Sequence, residues 1–285
     1  MRKKGKEQDI GERGPGADSF CTYKKLSQAL SPNPIQGDGR GFGGGRGNCL
    51  PPALPQKSKP ILRICVPVVE ATVNRARGKY QRAARKGLWT EIRLDYLEES
   101  APNLPKLFRT LPGPVIATNR LAAEGGRWQG GEAGRLKILS EALALGVTCL
   151  DIELAMDASF RRELAARRNK TKLILSWHDF AGTPDSPRLV AVLEEMLATD
   201  ADILKLVTLA KQPEDNVRLL SLIPKAKAQG REIIAFCMGP LGKWSRLAAP
   251  IMGSFLTFAP FSKRGASAPG QLTVNDLKKV WRTLK

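Results

Sequence analysis

Histidine is nearly absent from this chain, with one residue, His178, in 285. That scarcity leaves no histidine-rich metal centre to build. The five cysteines are odd in number and nowhere spaced as CxxC, so neither a zinc ribbon nor a disulfide framework is indicated. Cys65, Cys149 and Cys237 each sit inside an apolar run and read as small buried hydrophobes. They suit a reducing, cytoplasmic setting. No apolar run approaches the roughly 18 to 20 residues that span a bilayer, so no membrane association is expected. The opening MRKKGKEQDIGERG is basic but no apolar segment follows it, and a secretory signal is not expected. A glycine-rich phosphate turn is missing as well, since the first strand-like run continues as VPVVEATV.

Positive charge, by contrast, is abundant, at a net +19. An excess of that size invites a nucleic-acid reading. Its distribution argues against a specific site: residues 1–60 hold 11 Lys/Arg against 5 Asp/Glu, and the remainder holds 35 against 22. The run RARGKYQRAARK (75–86) carries alanines at helical intervals and reads as a solvated helix face. The field still helps to draw in a small anionic substrate.

Composition divides the chain near residue 60. Residues 1–60 contain 11 Gly and 7 Pro, in stretches such as GDGRGFGGGRGN, too few apolar groups to offset chain entropy, and they are expected to form a disordered, basic tail. From Ile61 to the end, short β-branched runs alternate with helical patterns. Strands are expected at 61–69, 88–94, 114–120, 147–154, 172–178, 202–210, 232–238 and 254–259. Segments such as EAGRLKILSEALALG and SPRLVAVLEEMLATD repeat apolar residues every three or four positions between them, and VNDLKKVWRTLK closes the chain. Eight strand–helix units in about 225 residues predict an α/β fold, a single parallel (β/α)8 TIM barrel over 61–285. A doubly wound open sheet is the competing architecture.

Side chains alternate along a strand, and active sites of such barrels lie at the strands' C-terminal ends. Glu91, Arg93 and Asp95 share one face of the second strand, and Ile92 and Leu94 the other. The outer face of a parallel barrel is covered by helices, so the apolar pair belongs there and the charges belong in the mouth, where Glu91 and Arg93 can neutralise each other. Asp151 and Glu153 repeat the pattern on the fourth strand. Arg120 ends the third, with Glu124 in the loop after it, and His178 ends the fifth. Lys205 interrupts the apolar sixth, ILKLVTL. On an edge strand it would be a snorkelling side chain, but a closed barrel has no edge. An amine held inside loses hydration, which favours its neutral, nucleophilic form. An ordinary lysine, with a pKa of about 10.4, is neutral in only about one molecule in 2,500 at pH 7.

Taken together, ExRxD (91–95), TxR with the following EGG (118–126), DxE (151–153), SWHDF (176–180), ADILK (201–205), Met238 with Ser245-Arg246, and ASAPGQ (266–271) closely resemble type I 3-dehydroquinate dehydratase, a Schiff-base lyase. The resemblance runs from about Ile61 to the C-terminus. It implies dehydration of 3-dehydroquinate to 3-dehydroshikimate, the third step of the shikimate pathway toward chorismate and aromatic amino acids, in a homodimer without cofactor or metal. It implies that Lys205 condenses with the C3 ketone, that His178 takes the C2 proton and then assists departure of the C1 hydroxyl, and that Glu124 orients the histidine. Arg246 then resembles the arginine that binds the substrate carboxylate, with Ser267 and Gln271 closing over it. Glu91, Arg93 and Arg120 resemble the residues that hold the ring hydroxyls, Asp151 and Glu153 supporting acids, and Met238 and Phe258 apolar contacts to the ring. Asn119 and Trp177 depart from the family's usual residues, and APFSKRG is slightly long. Another Schiff-base lyase or aldolase on the same barrel would share the lysine without explaining SAPGQ or the arginine. A basic nucleic-acid-binding protein would predict salt-sensitive binding and no turnover.

Overall fold

The computed structural model describes residues 61–284 apart from Ser100, Ala101, Ala266 and Pro269. The tail expected over residues 1–60 lies outside the described residues. In chain order the elements are β1 (Ile64–Val68), α1 (Val73–Ala84), β2 (Trp89–Arg93), α2 (Leu104–Phe108), β3 (Val115–Thr118), α3 (Glu132–Ala144), β4 (Cys149–Glu153), α4 (Ala158–Arg167), β5 (Lys172–Asp179), α5 (Ser186–Leu197), β6 (Ile203–Leu209), α6 (Pro213–Leu220), α7 (Leu222–Ala228), β7 (Glu232–Met238), α8 (Ser245–Ile251), β8 (Thr257–Phe258) and α9 (Val274–Thr283). From β1 to β7 each strand pairs in parallel with the next, and β1 pairs with β8, so the eight strands form a barrel closed except between β7 and β8. This is the TIM barrel that the alternation of elements predicts, not the open doubly wound sheet.

The seam lies between β7 and β8, bridged by one backbone hydrogen bond from Phe255 N–H to the Ile233 carbonyl at 2.7 Å. With a full ladder on one side only, β8 shrinks to two residues where the sequence predicts a strand over 254–259. The first strand likewise begins at Ile64, three residues later than expected, where pairing to Thr257 starts. The rhythm also departs from one helix per strand between β6 and β7, where α6 and α7 follow in succession. Helix starts obey local chemistry. Asp185 accepts the Arg188 N–H ahead of α5, and Thr273 and Asp276 form a reciprocal capping box ahead of α9.

The strands' two faces differ as their alternation predicts. Outward residues such as Ile92, Leu150, Ile152, Leu204 and Leu206 pack under the helices in one large core. Fully burying a side chain of this size contributes about 1.5–3 kcal/mol, which is why the period-two pattern dictates the facing of each strand. Inward residues change character along the barrel axis. At the N-terminal level Cys65, Ile116, Cys149, Ile174, Ile203 and Ile234 form an apolar plug. One or two inward positions later come Glu91, Asp151, Glu153, His178 and Lys205. Ionisable groups are tolerated there because each meets a partner or opens to the mouth. No helix among the described residues is long and apolar enough to cross a membrane.

Candidate active site

Lys205 stands in the middle of β6, buried to 5% exposure. Its Nζ donates to Asp151 Oδ2 at 2.7 Å and to Glu91 Oε1 at 3.4 Å, and lies 4.9 Å from the centre of the Phe258 ring. The amine is therefore desolvated, as the sequence predicts, but not bare: two carboxylates balance its charge. Burial alone would raise the Asp151 carboxyl, yet Arg120 and Lys205 overcome it and hold Asp151 well below the usual carboxylate range. Arg120 completes this floor. It donates to Asp151 Oδ1 and to Ser176 Oγ, each at 2.7 Å, and also stands 3.5 Å from Glu124 and 3.4 Å from Glu153. Thr118 donates to Glu91 at 3.1 Å.

His178 lies on the neighbouring strand, one inward position nearer the mouth than Lys205, since β5 and β6 pair Ser176 with Lys205 and His178 with Val207. Its Nδ1 is 3.1 Å from Glu124 Oε2, which leaves Nε2 as the uncommitted nitrogen. Burial, reinforced by the positive charges of Arg120 and Lys205, pushes the imidazole pKa well below its ordinary value, so the ring is neutral at neutral pH. Glu124 is shifted the other way, up to about 7, chiefly by burial, with Glu153 and Asp151 adding to the rise and Arg120 opposing it. Which partner carries the shared proton decides whether Nε2 presents a lone pair or an N–H.

Arg246, near the start of α8, is buried to 1% exposure and has no hydrogen-bond partner on Nε or either terminal nitrogen among the described residues. Its guanidinium lies 4.3 Å from the Phe236 ring centre. Burial brings its pKa down to about 10, and no carboxylate offsets that. A buried cation without a counter-ion is costly, and a guanidinium is suited to pairing with a carboxylate. Ser267 and Gln271 line the same cavity from the last loop, held together by Ser267 N–H to Gln271 Oε1 at 3.1 Å and Gln271 Nε2 to Ser267 Oγ at 3.2 Å.

One cavity, about 530 Å³ of atom-free space including its open mouth, joins these groups. Glu91, Arg93, Arg120, Glu124, His178 and Lys205 line it, as do Met238, Arg246, Phe258, Ser267 and Gln271. Asp151 and Glu153 lie beneath the wall and hold Lys205, Arg120 and the Leu121 N–H in place.

The pairing expected between Glu91 and Arg93 is not made. Arg93 instead forms a two-pronged bond with Asp95, at 2.8 and 2.6 Å, and Glu91 serves Lys205 and Thr118. The strand ends at Arg93 and Asp95 turns back in a 3-10 turn (Leu94–Tyr96), where it also accepts the Arg127 N–H. Arg93 NH1 makes no hydrogen bond among the described residues, and the residue lines the cavity.

Sequence reasoning overlooked several residues. Phe180 lines the mouth and stacks on His178, with centroids 6.0 Å apart and planes at 17°. Gly125 adopts φ +75°, and a side-chain carbon there would collide with the Phe180 ring, which explains one glycine of the EGG motif. Val207 and Phe236 line the pocket, and period-two alternation from Lys205 and Met238 could have found them. Arg135 of α3 reaches Glu153 from outside the barrel, with no sequence signal to separate it from surface arginines.

Residues 64–285 match the family described as type I 3-dehydroquinase. The chain is similar to the 3-dehydroquinate dehydratase of Methanosarcina acetivorans, 37% identical over 215 residues that cover 72% of this chain and 89% of the relative. The Methanocaldococcus jannaschii enzyme of the same name is 36% identical over 227 residues, covering 78% and 98%. Among solved structures, 3-dehydroquinate dehydratase from Geobacillus kaustophilus superposes with a TM-score of 0.72 at 28% identity, covering 79% of this chain and 91% of that one. The type I enzyme from Clostridium difficile gives 0.71 at 27%, covering 78% and 92%.

Proposed function

The chain belongs to the type I 3-dehydroquinase family, and from that premise we propose how its own residues carry out the reaction. The protein is a hydro-lyase of the shikimate pathway that converts 3-dehydroquinate to 3-dehydroshikimate and water through a lysine Schiff base. The carrying observation is that Lys205 and His178, on adjacent strands, open into one cavity whose far wall holds the unpartnered Arg246.

Arg246 pairs with the substrate carboxylate, which restores the charge balance that the ligand-free site lacks. Arg93, Arg120 and Glu91 take the ring hydroxyls, while Met238 and Phe258 pack on the ring. Ser267 and Gln271 close over it. Lys205 Nζ adds to C3, and the ketone oxygen leaves as water to give a cationic iminium. A proton beside a ketone is too weakly acidic for a neutral imidazole. The iminium accepts the electron pair of the C2–H bond as His178 Nε2 takes the proton, and so forms an enamine. That pair then returns to expel the C1 hydroxyl, which departs as water with the proton from His178. Water hydrolyses the conjugated iminium, regenerates the ketone and frees Lys205. The net change is loss of one water. Glu124 holds Nδ1–H throughout, and Asp151 and Glu153 keep Lys205 and Arg120 in register.

Reduction with borohydride in the presence of 3-dehydroquinate tests the scheme. A covalent adduct is expected on Lys205, with absorbance of the conjugated enoate product rising in untreated protein. Turnover without any adduct on Lys205 would refute the assignment. Retro-aldol cleavage products in place of the enoate would favour an aldolase.

A homodimer and a cytoplasmic setting complete the proposal. Exposed apolar side chains at Val217, Leu241 and Trp244 support the first, and three buried, unpaired cysteines support the second. Sedimentation at 31.1 kDa across all concentrations would refute the dimer.

A further inference from the structure

Arg135 is anchored on α3, in the helical layer outside the barrel wall, yet its side chain is fully buried at 0% exposure. Its Nε and NH2 grip Glu132 at 2.8 and 2.6 Å, an i,i+3 pair that would by itself satisfy a surface arginine. The remaining nitrogen, NH1, does something a surface pair does not need. It reaches the strand layer, where it bonds Glu153 Oε2 and the Asn119 carbonyl. Glu153 itself is 1% exposed, on the inward face of β4. Its other oxygen, Oε1, accepts the Leu121 N–H at 3.1 Å and stands 3.4 Å from Arg120 NH1. Arg120 in turn is 3.5 Å from Glu124, which holds His178 at 3.1 Å.

The outer helix is thus tied to the imidazole by four successive polar contacts. We propose that Arg135 is a positioning residue for the dehydration: by engaging Glu153 Oε2 it keeps that second oxygen from turning onto Arg120 as well, and so holds Arg120 and the Glu124–His178 pair in the geometry proton transfer needs. The inference rests on the reading of His178 as the base.

The physical reasoning is competitive. Remove the Arg135 guanidinium and Glu153 is left buried with an oxygen unmet, a costly state. Arg120, 3.4 Å from the other oxygen, is the remaining cation beside this carboxylate, and it has to give up part of its hold on Asp151, Ser176 and Glu124 to supply the bond. Glu124 then loses a cation on one side, and the more distant positive charge of Arg135, which also favours its ionised form, is gone. Both effects push the Glu124 carboxyl toward protonation, and with it the histidine toward the wrong tautomer.

Arg135→Met and Arg135→Lys, made in the full chain, separate this role from simple support of the fold. The Met variant is expected to lose about 10- to 100-fold in kcat, the scale of a misplaced catalytic group, with KM altered far less. The acid limb of its kcat/KM profile moves to higher pH. The Lys variant, which keeps the charge but not the fork, recovers part of kcat and returns the limb toward its original position. Arg135→Met combined with Glu153→Gln is expected to lose no more than Glu153→Gln alone, because both act through one carboxylate. Borohydride still traps substrate on Lys205 in each variant. Loss of trapping in the unmodified protein would sink the functional reading instead, so the two failures are distinct. An Arg135→Met protein with unchanged kcat and acid limb and only a lower Tm overturns the proposal, and so does additivity in the double variant. Should the Met variant fail to fold, the Lys variant decides: an unmoved kcat and limb there refute it.

Discussion

Replacing Arg246 with Met is expected to make the ligand-free protein more stable while destroying its affinity for substrate. The guanidinium is 1% exposed and unpartnered, and burial brings its pKa from 12.5 to about 10. At about 1.4 kcal/mol per pKa unit, that depression corresponds to a penalty on the order of 3 kcal/mol for keeping the charge in place. The folded-state pKa lies below that of the exposed side chain. The penalty is therefore complete at neutral pH and fades only as the pH climbs beyond about 10. Against it stands the contact with the Phe236 ring at 4.3 Å, worth about 0.5–2 kcal/mol. Met fills much of the same volume without charge, so a net gain of about 1–2 kcal/mol remains, or a rise of several degrees in Tm at about 2–4 °C per kcal/mol for a domain of this size. Thermal unfolding without ligand measures it. Adding 3-dehydroshikimate is expected to raise the Tm of the unmodified protein and leave the variant unmoved. Losing the carboxylate's partner costs about 3–5 kcal/mol, a fall of roughly 10²- to 10⁴-fold in kcat/KM. A variant less stable than its parent without ligand, or one that still binds product, would show that the guanidinium is solvated or paired in solution and that the reasoning is wrong.

The pH profile of kcat/KM is expected to fall on the acid side near pH 7 through Glu124 rather than at the ordinary histidine value: a protonated Glu124 donates to Nδ1 and places the imidazole proton on Nε2, where the base is needed. Glu124→Gln should remove that limb, and an unshifted limb would assign it elsewhere. The same raised pKa means the folded state takes up a proton the unfolded chain does not, so this group's contribution to stability grows as pH falls from about 7 toward 4.5, visible in urea midpoints. Lys205→Arg keeps a cation between Asp151 and Glu91 but offers no nucleophilic amine; turnover should drop by about 10⁴ or more with no borohydride adduct, and residual turnover above a tenth would exclude the Schiff base. Gly125→Ala puts a side-chain carbon into the Phe180 ring at a left-handed φ of +75°; kcat is expected to fall about tenfold as the stacked His178 is displaced, at a cost in stability of about 1 kcal/mol, and unchanged kinetics would free Phe180 of any part in holding the base.

The barrel was legible before any coordinate because two periodicities alternate, and once eight strand–helix units imply a parallel barrel, Ile92 and Leu94 against Glu91 and Arg93 read as a strand with a covered outside and a polar inside. His178 and Lys205 stood out for the same reason, an imidazole and an amine where alternation points a side chain into a closed interior. Partner choice was not legible. Arg93 lies as close in sequence to Glu91 as to Asp95, and only the 3-10 turn after β2 brings Asp95 back to meet it. β8 was over-read because a short apolar, aromatic run such as SFLTFA (254–259) shows strand propensity but not whether neighbours exist on both sides to complete a ladder.

What the sequence determined by itself is therefore the period of each element and the chemistry available on each strand's inner face, because both follow from local geometry that repeats along the chain. What only the tertiary structure decided is which charges neutralise one another and which are left without a partner. Arg135 looks like any helical arginine until the fold lays α3 against β4. Nothing in the sequence shows that Arg246 lacks a protein partner until the fold buries it beside Phe236, and no carboxylate bonds it among the described residues. Coulomb energies and desolvation depend on distance and burial in space, and neither is a function of separation along the chain.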